Sequence, residues 1–179
     1  MKILLCVTGS IAVYKAAELV RLFVKHGHDV RVVMTPAACE FVRPLTFQTL
    51  SQNQVFVEQF ATPEQWRPEH ISLATWADVV LVAPATANTI AKMRWGLADN
   101  LATSTLLASR APIFVAPAMN DGMWDNAATA ENIAELKKRG VKIVEPGDGE
   151  LACGTSGKGR MAEPEAIFDF VRQTSSAQS

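Results

Sequence analysis

Residues 78–89 read DVVLVAPATANT. Five consecutive apolar residues, Val79–Ala83, run into Pro84 and then into small, hydroxyl and amide side chains. A half-buried strand alternates apolar with polar, so an unbroken apolar run of this length predicts a strand covered on both faces, as in a parallel sheet between helices. The pattern recurs in ILLCV (3–7) and IFVA (113–116). With two shorter runs, the candidate strands are Lys2–Val7, Asp29–Met34, Asp78–Ala83, Pro112–Ala116 and Val141–Val144.

Helical patterns fill the intervals. In SIAVYKAAELVRLFVKHG (10–27), Ala12, Ala16, Leu19, Val20 and Phe23 share one face and Gly27 stops the helix. TANTIAKMRWG and LADNLATSTLLASR follow the third strand, and WDNAATAENIAELKKRG follows the fourth, closing on basic residues and Gly140. A last helix is expected over Pro164–Arg172, so the expected domain is 1–173 with a disordered tail or linker at 174–179. Strands alternating with helices predict an α/β, Rossmann-like, doubly wound parallel sheet in a single domain with right-handed crossovers. No internal repeat interrupts it.

Composition limits the function classes. A chain of 179 residues with 49% hydrophobic and 20% charged residues has the balance of an ordinary globular domain. Seventeen basic residues against eighteen acidic ones leave no charge excess to suit nucleic acid or a membrane surface. No apolar run approaches the roughly 18 residues of a membrane span, and MKILLCVT lacks the features of a leader peptide. Cys6, Cys39 and Cys153 are odd in number and widely spaced, which predicts a reducing, cytoplasmic setting and no disulfide framework. Cys6 and Cys39 read as packed small hydrophobes. Cys153 differs: LACGTSGKGRM (151–161) is too glycine-rich for a helix or strand and too short for a metal site, so it reads as a loop carrying one thiol.

In doubly wound sheets ligands bind at the carboxyl ends of the strands. Those ends read Thr8-Gly9-Ser10, Met34-Thr35-Pro36, Pro84–Thr89, Pro117-Ala118-Met119-Asn120 and Pro146-Gly147-Asp148-Gly149. Hydroxyls gathered at helix N-termini suit a phosphate-bearing ligand, while each one singly also reads as an N-cap. TGSIAVYK lacks the G-x-G-x-x-G of dinucleotide sites, and the second strand ends without an acidic residue. A mononucleotide fits better than a nicotinamide dinucleotide. His26 and His28 flank Gly27 at the opposite end and read as surface residues.

Three motifs occur in order: EHISLATWAD (69–78), PATANTIAK (84–92) and PAMNDGMW (117–124). Together they resemble the homo-oligomeric flavin-containing cysteine decarboxylases, from Lys2 to about Ile167, in a flavodoxin-like fold. LACGTSGKGRM is similar to the cysteine loop of the phosphopantothenoylcysteine decarboxylase branch, which serves coenzyme A biosynthesis. The resemblance implies FMN as cofactor, held by Gly9, Ser10, Thr35, Thr86, Asn88, Thr89 and Ser104, with Ser10, Thr86 and Thr89 nearest its phosphate. It implies His70 as base, Asn120 on the substrate carboxylate and Cys153 as acid. Met119, Lys158 and Arg160 are further substrate-binding candidates, no metal is expected, and Trp124 reads equally as packing.

The implied substrate is 4′-phosphopantothenoylcysteine and the product 4′-phosphopantetheine. A thiol near its ordinary pKa of about 8.5 is mostly protonated at neutral pH and suits an acid; an imidazole near about 6.5 suits a base. The implied assembly is a homotrimer or dodecamer with flavin at the trimer contact, and the implied partner a fused phosphopantothenate–cysteine ligase domain beyond residue 179. Two alternatives stay open. One is a peptidyl-cysteine decarboxylase that stops at the enethiol, against which Cys153 argues. The other is a non-catalytic, flavoprotein-like regulatory subunit, in which His70, Asn120 and Cys153 together would be gratuitous.

Overall fold

The computed structural model describes residues 1–60, 68–150 and 156–176. In chain order the first half contains β1 (Lys2–Val7), α1 (Val13–Lys25), β2 (Asp29–Met34), α2 (Pro36–Cys39), α3 (Pro44–Ser51), β3 (Val55–Phe56), α4 (Glu69–Trp76) and β4 (Val79–Ala85). The second half contains α5 (Ala87–Trp95), α6 (Leu101–Ala108), β5 (Ile113–Pro117), α7 (Asp121–Trp124), α8 (Ala127–Lys138), β6 (Lys142–Ile143), β7 (Gly147–Glu150), β8 (Ser156–Arg160) and α9 (Pro164–Ser176).

Six strands form one all-parallel sheet in the order β3-β2-β1-β4-β5-β6. β1 lies at its centre, with Cys6 opposite Val33 of β2 on one side and Val82 of β4 on the other. Successive residues of β1 point to opposite faces. Ile3, Leu5 and Val7 join a core with α1 and α9, through Leu19, Phe23, Ile167 and Val171. Leu4 and Cys6 join a second core with α4, α5, α6 and α8, through Leu73, Ile90, Leu106 and Leu136. Every residue of β4 is buried, as its unbroken apolar run requires. The winding direction reverses between β1 and β4, and a crevice opens beside their carboxyl ends.

Four details differ from the sequence reading. Val55–Phe56 adds a sixth strand, two residues long and therefore without a periodic signal. The strand expected at Val141–Val144 covers only Lys142–Ile143. The last helix continues to Ser176, because QTSS contains no glycine or proline to end it, so Thr174–Ser176 are helical and not tail.

The largest correction concerns the glycine-rich segment. Ser156–Arg160 is a strand, paired antiparallel with Gly147–Glu150 as a two-stranded ribbon separate from the main sheet. Its glycines are contact points. A Cβ on Gly157 would lie 2.8 Å from the Cβ of Asp121, and one on Gly159 (φ +144°) would collide with the Met119 carbonyl oxygen. Missing side chains let the backbone of β8 lie directly on the loop after β5, where the Met119 N–H donates to the Gly159 carbonyl at 3.0 Å.

Candidate active site

The crevice at the switch point is a cleft of about 360 Å³. One wall comes from the β1–α1 turn, through Thr8 and Gly9, and from Thr35, Pro36 and Ala37 after β2. The other comes from the start of α5, through Thr86, Asn88 and Thr89, with Lys92 and Asn100 behind. Gly9 is required by packing: a Cβ there would sit 2.6 Å from that of Ala37 and push the two turns apart.

The hydroxyls are held in a connected set. Thr8 Oγ1 donates to the Pro84 carbonyl at 2.7 Å and accepts from the Thr86 N–H at 3.1 Å, which ties β1 to the β4–α5 turn. Thr86 Oγ1 caps α5 by accepting from the Thr89 N–H at 3.3 Å and donates to Thr89 Oγ1 at 3.1 Å. Thr35 Oγ1 caps α2 by accepting from the Ala38 N–H. The cap and ligand readings are therefore not rivals, because the same hydroxyls close the helices and line the cleft. Neutral donors at helix N-termini, with one ammonium behind them, suit a phosphorylated ligand.

Of the seven residues expected to hold cofactor, Gly9, Thr35, Thr86, Asn88 and Thr89 line this cleft. Ser10 and Ser104 are not among its lining residues. Ser10 accepts from the Ala12 N–H, and buried Ser104 accepts from Gln59 Nε2 at 3.1 Å while donating to the Ala98 carbonyl. Lys92 and Asn100 were missed by the sequence reading, which stopped at the first turn of α5. The spacing of Lys92 three residues after Thr89 was the available signal.

Asn120 follows β5 and caps α7, its Oδ1 accepting from the Gly122 N–H at 2.9 Å. His70 is half-buried near the start of α4, which packs on α6. α4 leads directly into β4, so its N-terminal end lies toward the carboxyl edge of the sheet. Met119 packs partly into the second core, as does Trp124.

Cys153 lies outside the described residues, in the connection between β7 and β8. The ribbon that carries this connection rests on the Asn120 loop and α7. Lys158 pairs with Glu145 at 3.4 Å and sits 5.6 Å from the Trp124 ring, and Arg160 pairs with Glu163 at 3.0 Å. Both basic residues are thus engaged by carboxylates. The ribbon's exit is anchored by Lys15, which the apolar reading of α1 overlooked. Buried within the first turns of α1, its ammonium donates to the Met161 carbonyl and to Glu163 Oε1, both at 3.0 Å. The hydrogen bond from Lys15 holds the Glu163 carboxyl below the usual glutamate range.

The remaining titratable groups fit structural roles. Burial pushes the Cys6 thiol up to about 12. Cys39 is half-buried against the first core. His26 is exposed, but His28 is half-buried near the rings of Phe23 and Phe168, and burial lowers its pKa. Among the described residues there is no metal-binding group of three or more His, Cys, Asp or Glu, and no helix long and apolar enough to cross a membrane.

A comparison with known families matches residues 1–176 to the Flavoprotein family. The chain belongs to the Flavoprotein family. The cofactor indicated is a flavin. This flavoprotein domain is 50% identical over 171 residues to the coenzyme A biosynthesis bifunctional protein CoaBC of Bacillus subtilis, covering 96% of the chain and 42% of that protein. It is 46% identical to a probable phosphopantothenoylcysteine decarboxylase of Streptococcus mutans, covering 96% and 97% of the two chains. The domain thus spans about two fifths of the bifunctional relatives and nearly all of the shorter one. Among solved structures it matches a cysteine-to-serine mutant of PPC decarboxylase complexed with pantothenoylaminoethenethiol, with a TM-score of 0.87, 35% identity and 97% coverage of each chain. It also matches the FMN-binding protein AtHal3, with a TM-score of 0.86 and 35% identity over 99% of this chain and 98% of that one.

Proposed function

We propose that the domain is an FMN-dependent decarboxylase of 4′-phosphopantothenoylcysteine, yielding 4′-phosphopantetheine for coenzyme A synthesis in the cytoplasm. The observation that carries this reading is the docking of the Cys153-bearing ribbon on the Asn120 loop, beside a cleft whose donors suit a flavin phosphate. Thr86, Thr89, Asn88, Thr35 and the Gly9–Ser10 turn would hold FMN, with Ser104 behind them. Bound FMN supplies a reversible two-electron oxidation of the substrate's CH2–SH group.

The chain's own residues supply the rest. His70 accepts the thiol proton as the thioaldehyde forms. The C=S group lies β to the carboxylate and takes up the electron pair when CO2 leaves, giving an enethiolate. Asn120 binds the carboxylate through a neutral amide, which avoids the ground-state stabilisation that a cation would give to the group being expelled. Cys153 would donate a proton to the carbon that CO2 has left, and the product carries no net oxidation. Met119 contacts the substrate, and Lys158 or Arg160 meets its phosphate after exchanging a carboxylate partner. The working assembly is a homotrimer or dodecamer, with a fused phosphopantothenate–cysteine ligase as partner.

The test is the mass of the product made anaerobically from 4′-phosphopantothenoylcysteine by the purified domain. Loss of CO2 alone supports the reading. Loss of CO2 with two further hydrogens means that the reaction halts at the enethiol, as in peptidyl-cysteine decarboxylation, and Cys153 is idle. The substitution Cys153→Ser is expected to release CO2 yet accumulate that enethiol; normal product at the normal rate would remove Cys153 from the mechanism.

A further inference from the structure

Resting on the FMN reading above, we propose that Lys92 supplies the counter-charge for the flavin's phosphomonoester and so sets a preference for FMN over unphosphorylated riboflavin. Lys92 is the one charged side chain among the described residues lining the cleft; its neighbours there are threonines, asparagines and small residues. A phosphomonoester is close to a dianion at neutral pH. Hydroxyls and helix N-termini alone would leave most of that charge uncompensated in a partly desolvated crevice.

The placement of Lys92 supports this role. It follows Thr89 by three residues on α5 and therefore shares that face of the helix. Helical side chains lean toward the N-terminus, so its four-carbon stem carries the ammonium back toward the capped first turn. The ammonium is held by Asp99 Oδ2 at 2.6 Å. Asp99 is itself locked to the start of α6, its Oδ1 accepting from Asn100 Nδ2 at 3.1 Å and from Thr103 Oγ1 at 3.4 Å. Lys92 is only 20% exposed, whereas Asp99 is 58% exposed. Water screens the carboxylate more than the ammonium, so Asp99 orients Lys92 without cancelling its charge toward the cleft.

The competing explanation is that Lys92 is merely a strut joining α5 to α6. A strut would affect both flavins alike, whereas a phosphate partner separates them. The experiment titrates the full chain, freed of flavin, with FMN and with riboflavin by fluorescence, comparing wild type with Lys92→Gln and Lys92→Arg. Wild type is expected to favour FMN. Lys92→Gln should weaken FMN about 10- to 100-fold while leaving riboflavin within about 2-fold, the span set by one hydrogen bond to a charged group. Lys92→Arg should recover most of the loss, and inorganic phosphate should displace FMN from wild type more readily than from Lys92→Gln.

Equal losses for the two flavins, or no loss of FMN, would overturn the proposal and leave the FMN reading standing. Binding of neither flavin by wild type would overturn both. Should Lys92→Gln fail to fold, the salt dependence of wild type decides. FMN affinity falling with salt while riboflavin affinity holds supports the phosphate contact, and parallel curves refute it.

Discussion

The main sheet and the β7–β8 ribbon sit side by side but are held by different physics. The sheet is fastened by side chains that are wholly withdrawn from water, such as Leu4, Leu5, Leu81 and Phe114. The ribbon is fastened largely where side chains are missing: Gly157 and Gly159 lie against Asp121 and Met119, and among the described residues the Met119 N–H crosses to the Gly159 carbonyl, exposed ion pairs flank the joint and the Lys15 ammonium anchors its exit. Apolar burial is worth several kcal/mol per large residue, while exposed ion pairs contribute about 1 kcal/mol or less. The flavin cleft is therefore built on the more deeply buried element, and the ribbon is the more lightly fastened one. A cofactor is kept through many turnovers, whereas substrate must come and go with each one.

Substitutions can break this contrast, and the largest effect is expected in the sheet. Leu81→Ala, at a fully buried position in β4, should cost about 3 kcal/mol in denaturant unfolding and release flavin at the same midpoint. Gly159→Ala should cost about 2 kcal/mol locally, because the new methyl meets the Met119 carbonyl at a φ that alanine avoids. Hydrogen exchange should rise in the ribbon and product formation fall at least about 10-fold, with flavin retained. If flavin affinity falls in parallel, the two regions are one cooperative unit and the contrast is wrong.

Glu163→Gln probes the seam between them. The Glu163 carboxyl is held low, first by its hydrogen bond from Lys15. A lowered pKa gives stability that is complete above the unfolded value near 4.3 and is lost as pH falls through the lower folded value. Because Glu163 is more than half exposed, the variant should lose about 1 kcal/mol at neutral pH and no more. Its unfolding curve should converge with wild type on acidification. The smallest effect belongs to Lys158→Gln: under about 0.5 kcal/mol, and insensitive to salt once the partner charge is gone. A large loss there would mean that the pair with Glu145 governs ribbon docking and the glycines do not.

The same contrast explains what the sequence disclosed. Parallel strands covered on both faces must be uniformly apolar, so VVLVA and ILLCV announced themselves; the ends of those strands led to Gly9, Thr86, Asn88 and Thr89 in the cleft, and the end of β2 led to Thr35. The ribbon strand SGKGR has no apolar alternation, because its contacts use backbone, and it read as loop. Val55–Phe56 was too short to show a period. Lys15 was hidden by its position beside a strong apolar face, where a charged residue reads as surface, yet it is 3% exposed. Which residues a helix N-terminus serves beyond its first turn, as with Lys92 and Asn100, depends on how two helices converge, and no local pattern encodes that.

The Lys15 anchor also closes the chain on itself. Its acceptors, Met161 and Glu163, lie 146 and 148 residues further along the chain. Both stand in the short connection between the ribbon and α9, and α9 packs on α1. Closing a loop of that length is entropically costly, so one hydrogen-bonded ammonium could not hold it alone. The sheet and its two cores bring the ends together, and the lysine then fixes where the ribbon leaves and the last helix begins.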